Sequence, residues 1–213
     1  MIYSTGGIKG GSGKSTIATN LAIILSQSSK DVLLVDADDQ ATASSFIGFR
    51  SKTKQGDIGY TSIQLAGKAV REQILRLKEK YDDIVIDVGG RDTTSQRAAM
   101  SVAGIFLVPF LPRSFDIWTL KSVVKIIEEM KIVNPTLKAY SFINRADFRG
   151  SDNKEVEDFL KEEKMLVFID TPIGNRKAFS NAGSQGLGVT EVKPVDPKAV
   201  EEFHKLITYL TSI

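Results

Sequence analysis

The chain reads as short apolar runs set between longer stretches in which apolar residues recur every three or four positions. The runs are MIYST (1–5), VLLVD (32–36), YTSIQL (60–65), DIVID (83–87), IFLVPF (105–110), AYSFIN (139–144) and MLVFID (165–170). Most are apolar throughout instead of alternating, which predicts strands covered by helices on both faces. Val70, Ile74, Leu77 and Tyr81 keep helical spacing. So do Ile117, Leu120, Val124 and Ile127, with Lys121, Lys125, Glu128 and Glu129 on the opposite side. Strand and helix alternate from end to end, which predicts an α/β fold. The expectation is a single doubly wound, mostly parallel sheet flanked by helices, in one domain over residues 1–213. The stretch GFRSKTKQGDIG (48–59) is the longest one expected to be a mobile loop.

In such sheets ligands bind beyond the carboxyl ends of the strands, and polar clusters follow several of the apolar runs. After the first run comes Lys9-Gly10-Gly11-Ser12-Gly13-Lys14-Ser15-Thr16, then the helical stretch IATNLAIIL. Glycines let the backbone wrap tightly, so that successive N–H groups point inward at phosphate oxygens. The helix N-terminus adds partial positive charge. Lys14 is expected to reach the β- and γ-phosphates, and the Ser15 hydroxyl to coordinate Mg2+. One position departs from the general phosphate-loop pattern, with Ile8 where a glycine would stand.

Two further strand ends carry carboxylates. Asp87 closes DIVID, where a Walker B aspartate holds the magnesium. Asp36 and Asp38 close the second strand, in VLLVDADDQ, where a carboxylate can orient an attacking water or bind the metal. An aspartate there can instead cap the next helix, and this is the expected role of Asp39.

Composition narrows the chemistry. There is no cysteine, so disulfides, thiolate metal sites and cysteine nucleophiles are excluded, and one histidine, His204, cannot build a multi-histidine centre. No apolar run reaches the ~18 residues of a membrane span, and a cytoplasmic location is expected. Net charge is +2, but residues 50–80 hold eight Lys/Arg against three acidic residues. That surplus suits either a polyanion or a solvated helix face.

With the loop KGGSGKST, the run VLLVDADDQATAS and the segment YDDIVIDVGG, the sequence resembles the ParA/MinD group of P-loop ATPases. The lysine near the start of the loop is that group's deviant Walker A signature. The match runs nearly the whole chain and is most similar to the short ParA partition ATPases, which lack an N-terminal helix-turn-helix domain. The resemblance implies a slow, partner-stimulated Mg-dependent ATPase. It makes Lys9 the residue that reaches the nucleotide of a second subunit in an ATP-bound sandwich dimer. Asp38 becomes the residue that positions the hydrolytic water, and Asp36 a support of the metal site. FINRADF (142–148) falls at the adenine-recognition segment, making Asn144 the base contact. DTPIGNRKAFSNAGSQG (170–186) resembles a late segment flanking the adenine, with Pro172, Arg176 and Lys177 at stake. Asp39 stands where the group usually has proline. Val88-Gly89-Gly90 replaces its usual small turn, within the switch segment DVGGRDTTSQ (87–96).

A cation from a second subunit would neutralise the outward-facing γ-phosphate, so ATP would favour the dimer and ADP would not. Two basic patches joined in one body bind DNA more tightly than one, and contacts to phosphates are independent of base sequence. The implied partners are a second copy, nonspecific double-stranded DNA and a ParB-like adaptor, without a membrane, at the nucleoid. Lys68, Arg71, Arg76 and Lys78 rival Arg176 and Lys177 as the DNA contacts. Two alternatives share this fold, a MinD-like membrane-associated ATPase and an ATP-dependent biosynthetic ligase. The last helix, with Val200, Phe203, Ile207 and Leu210 on one side and Glu201, Glu202 and Lys205 on the other, reads as a packing helix.

Overall fold

A computed structural model describes residues 1–112, 114–147 and 152–213, with the backbone alone of 114–118 and 152. Eight strands form one sheet: β1 (Ile2–Thr5), β2 (Val32–Ala37), β3 (Thr61–Gln64), β4 (Asp83–Val88), β5 (Ile105–Phe110), β6 (Lys138–Ala146), β7 (Val167–Phe168) and β8 (Ile173–Gly174). The order across the sheet is β3-β2-β4-β1-β5-β6-β7, with β8 also paired to β6. Every pairing is parallel. The central strands β2, β4 and β5 are buried along their whole length, as their unbroken apolar runs require.

The crossovers are helical. α1 (Lys14–Gln27) and α2 (Thr42–Thr53) flank β2, and α3 (Ala69–Leu77) precedes β4. α4 (Thr94–Met100) precedes β5, α5 (Ser114–Val133) precedes β6, and α6 (Asp152–Glu162) precedes β7. α7 (Lys177–Gly183) and α8 (Pro197–Thr211) close the described chain. One face of the sheet carries a core of α1 and α8, with Ile17, Leu21, Phe203 and Leu206 against Tyr3, Leu34 and Phe142. The opposite face is covered by α3 to α6. α8 starts at Asp196, whose carboxylate accepts from the backbone N–H groups of Lys198 and Ala199 (both 3.1 Å). Phe203, Ile207 and Leu210 are buried as the stripe predicts, Leu206 joins them, and Val200 is half-buried.

Several local expectations change. The run 165–170 yields only the two residues of β7, because the chain turns at Ile169, whose N–H still donates to the Ser141 carbonyl (2.7 Å). β8 had no apolar run to announce it. α3 ends at Leu77, one turn before Tyr81, which nevertheless packs on the same core. Ile117 and Phe148 lie outside the described side chains.

The expected mobile loop 48–59 is the clearest correction. Its first half is the end of α2, and Arg50 within it is buried. The Arg50 guanidinium donates to the Ile58 and Gly186 carbonyls (2.7 and 3.1 Å) and to both oxygens of Glu191 (2.7 and 3.1 Å). Lys54 joins Glu191 at 2.9 Å. Gly186 permits this approach: its φ is +65°, and a Cβ there would lie 2.1 Å from the Arg50 nitrogen. Two of the eight cations counted in 50–80, Arg50 and Lys54, thus share the one Glu191 carboxylate within the fold.

Burial by itself would raise the Glu191 pKa. Arg50, the Gly188 N–H and Lys54 outweigh it and bring the pKa down to about 2. The pair should thus contribute full stability above the ordinary carboxylate value of 4.5 and lose it as pH falls toward 2. Urea unfolding of Glu191→Ala at pH 7 should show a loss of about 3–5 kcal/mol, the cost of leaving a buried charge without its partner. Glu191→Gln should flatten the acid limb of the stability curve, and an unchanged limb would remove this pair from the account.

Candidate nucleotide-binding site

β1 delivers the chain into the glycine loop at the carboxyl edge of the sheet. Gly6 packs directly on the Phe106 ring, where a Cβ would approach to 2.3 Å. The Gly7 N–H donates to the buried Gln96 side chain at 3.0 Å. The loop closes at Gly13, whose φ of +96° starts α1. A Cβ at Gly13 would lie 2.2 Å from Nδ2 of Asn144, which donates to the Ser12 carbonyl at 2.7 Å. α1 has neither a side-chain cap nor an acidic residue in its first turn. Its leading N–H groups are therefore left for an anion. Lys14 Nζ folds back to the Lys9 carbonyl (2.8 Å). Burial lowers the Lys14 pKa, while Asp87 and Asp38 favour its charge.

Parallel register sets the floor of the site. Thr5 pairs with Asp87 on β4, and Asp87 pairs with Asp36 on β2, so the three stand side by side at the strand tips. Asp36 is fully buried, but both its oxygens accept backbone N–H groups, from Asp38 (3.2 Å) and Ser44 (2.6 Å). It therefore serves the α2 N-terminus, the role expected of Asp39. Asp39 is exposed and the N-cap position is Ala41, so that expectation is corrected. Asp38 is half-buried and accepts from the Gln40 N–H at 3.1 Å.

Asp87 differs from Asp36. Its Oδ1 accepts from the Thr5 hydroxyl (3.3 Å), and its buried Oδ2 has no hydrogen-bond partner among the described residues. Burial pushes the Asp87 pKa up to about 7, with Asp36 and Asp38 adding to the rise and Ser15 and Lys14 opposing it. An orphaned carboxylate oxygen beside a serine hydroxyl fits Mg2+, which takes one or two protein ligands and fills its sphere with phosphate and water. Among the described residues no group of three His, Cys, Asp or Glu could hold a metal alone.

A cleft of about 480 Å³ opens above this floor. Gly10, Gly11, Gly13, Lys14, Ser15, Thr16 and Asp38 all line it. Ser12 is buried beneath the loop. Lys9 is not on its own cleft; it is half-buried and lines a small crevice behind the loop with Pro109, Phe110, Thr119 and Val123. Asn144 braces the loop from below, and β8 pairs Ile173 with Asn144, which sets Pro172 next to it. Lys68, Arg71, Arg76 and Lys78 are exposed on and beside α3. Lys177 is exposed, whereas Arg176 is engaged by Glu202 through two bonds (2.9 and 2.5 Å).

Sequence reasoning missed Arg91, Thr93 and Arg145 in the cleft lining. Arg145 adopts φ +55°, which no sequence signal announces for an arginine. Arg91 follows Gly89 and Gly90, and the structure explains that pair. A Cβ at Gly89 would lie 2.8 Å from the Asp38 carboxylate, and one at Gly90 would lie 2.7 Å from the Lys9–Gly10 backbone. The segment after β4 can lie against the phosphate loop only because both residues lack side chains.

An uncapped helix behind a glycine loop, with carboxylates on the neighbouring strand tips, defines a P-loop nucleotide-binding domain. Residues 3–189 match the model of the CobQ/CobB/MinD/ParA nucleotide-binding domain family, to which the chain belongs. The maintenance of carboxysome distribution protein A of Halothiobacillus neapolitanus is 26% identical over 202 residues, 94% of this chain and 91% of that one. The chromosome-partitioning ATPase Soj of Thermus thermophilus is 26% identical over 220 residues, 90% of this chain and 88% of its own. A Cyanothece McdA solved as an ATP complex superposes with a TM-score of 0.80 at 18% identity, over 100% of this chain and 96% of that one.

Gly13→Ala would have to displace Asn144 and hold alanine at a positive φ, so it should lower nucleotide affinity at least 100-fold in titration calorimetry. Near-normal binding would show that the loop has a second workable shape.

Proposed function

We propose that the protein is a ParA-type positioning ATPase that dimerises on ATP, binds DNA without sequence preference and moves a cargo through an adaptor. Family membership and the ATP complex of the similar Cyanothece protein support ATP as the nucleotide. The observation that carries the reading is the division of labour between the two loop lysines. Lys14 occupies the cleft of its own chain, while Lys9 starts from the far side of the same loop. A cation placed there serves a phosphate held by a second copy, which makes the ATP-bound face the dimer face.

Within each copy the loop N–H groups and the α1 N-terminus hold the phosphates, and Lys14 neutralises charge between the β- and γ-positions. Ser15 and Asp87 would hold Mg2+, which would supply positive charge to offset that of the phosphates. Asp38, anchored through its own turn to the Gln40 N–H, orients the water that attacks the terminal phosphorus. Hydrolysis removes the group that Lys9 of the other copy binds, so turnover ends the dimer. A rate far below the roughly 10 s⁻¹ of metabolic enzymes suits that role.

For DNA, α3 is the better of the two rival surfaces. Lys68, Arg71 and Arg76 face solvent on it, and Lys78 has only a 3.6 Å contact with Glu79. Arg176, held by Glu202, has its charge already matched. The similar carboxysome-distribution and chromosome-partitioning proteins support a positioning task; the stimulating partner in this reading is a ParB-like adaptor.

DNA binding should require ATP and weaken steeply between 50 and 200 mM salt, as expected for about 6–10 phosphate contacts. Binding that ignores the nucleotide would overturn the partition reading, and recruitment to anionic liposomes would replace it with a membrane one. Asp38→Ala should accumulate as an ATP dimer in light scattering, and Lys9→Ala should bind nucleotide yet stay monomeric. An ATP dimer of the Lys9 variant would remove the proposed role in the second copy. Arg71→Gln with Arg76→Gln should lower DNA affinity and reduce the salt slope by about 2.

A further inference from the structure

The cleft holds two cations that the loop lysines do not account for, Arg145 on β6 and Arg91 after β4, and only Arg91 adjoins Gly89 and Gly90. Arg91 lines it and is exposed, on the segment that leaves β4 just after Asp87. Its position is set by contacts that leave little room. Gly89 lies against the Asp38 carboxylate, and Gly90 lies against the Lys9–Gly10 backbone. The next residue is held as well. Asp92 takes two hydrogen bonds from the Arg97 guanidinium (both 2.7 Å), and Arg97 is held in turn by Glu129 on α5 (2.8 Å). The neighbouring carboxylate is thus turned onto Arg97, and Arg91 faces the cleft with its charge available.

The location specifies which part of a nucleotide Arg91 can meet. A water-positioning carboxylate must stand next to the phosphorus that is attacked, so Asp38 marks the terminal-phosphate end of the cleft. Gly89 touches Asp38, and Arg91 is two residues further on. Arginine offers a planar fork of donors suited to a phosphate oxygen pair. We infer that Arg91 is a specificity-determining residue that binds the terminal phosphate of a nucleoside triphosphate from within the same chain. Through it the segment 89–93 distinguishes triphosphate from diphosphate. The inference rests on the ATP reading above and adds to it a sensor distinct from Lys9, which acts on the other copy.

The test uses the full chain carrying Lys9→Ala, so that dimerisation does not contribute to apparent affinity. Calorimetry measures a non-hydrolysable ATP analogue and ADP, each with Mg2+, for this background and with Arg91→Gln or Arg91→Lys added. Arg91→Gln should weaken the triphosphate analogue about tenfold or more, the range of a charge-assisted hydrogen bond, and leave ADP within twofold. Arg91→Lys should recover part of the loss, because the charge returns without the fork. Equal losses for both nucleotides, or no loss for either, overturn the inference while leaving the nucleotide site intact. Unsubstituted protein that binds neither nucleotide overturns the ATP reading itself. Thermal unfolding identifies any variant that is misfolded; should Arg91→Gln be one, the comparison rests on Arg91→Lys, whose triphosphate affinity should then fall and whose ADP affinity should not.

Discussion

Asp36 and Asp87 face each other in register on adjacent strands, both buried, and the site depends on how these two like charges are accommodated. Placing two carboxylates side by side away from water is costly unless each is matched. Asp36 is matched by backbone N–H groups and so becomes structural, holding the first turn of α2. Asp87 is matched only in part, by Thr5, Ser15 and Lys14, and its pKa is displaced to about 7. A divalent cation would reverse that displacement by supplying the missing charge. The same strand pairing therefore yields one fixed support and one poised ligand.

The phosphate loop is shaped as much by its neighbours as by its own sequence. Asn144 from β6 holds Ser12, Gln96 from α4 holds Gly7, and Gly90 after β4 rests on the turn at Lys9–Gly10. Gly90 and Gln96 belong to the one crossover between β4 and β5, and Asn144 to β6, so the loop is the meeting point of two separate parts of the chain. The segment after β4 is tied in turn to α5 through Asp92, Arg97 and Glu129. An equilibrium can be shifted only by a differential contact, and the terminal phosphate is the one group present in ATP and absent from ADP.

How much the sequence disclosed follows from which signals are local. Unbroken apolar runs located β2, β4 and β5, and the glycine loop with its lysines located the cleft, because both are written in consecutive residues. β7 and β8 were shortened or missed because two-residue strands are set by their partner β6 and carry little pattern of their own. Arg50 looked like one cation in a solvated surplus. Its burial depends on Glu191, which lies 141 positions away. Asp39 had the spacing of a helix cap, yet Asp36 does that work from the end of its strand, through the Ser44 N–H eight residues on.

α2 is fastened at its first turn through Ser44 to Asp36 and near its last through Arg50 to Glu191. Its twelve residues therefore behave as a ruler. Inserting or deleting one residue would rotate one anchor relative to the other by about 100° and shift it by about 1.5 Å, so both could not be kept. Substitutions on its outer side leave that geometry untouched. In related chains the outer side of this segment should vary freely in sequence, and the segment hardly at all in length.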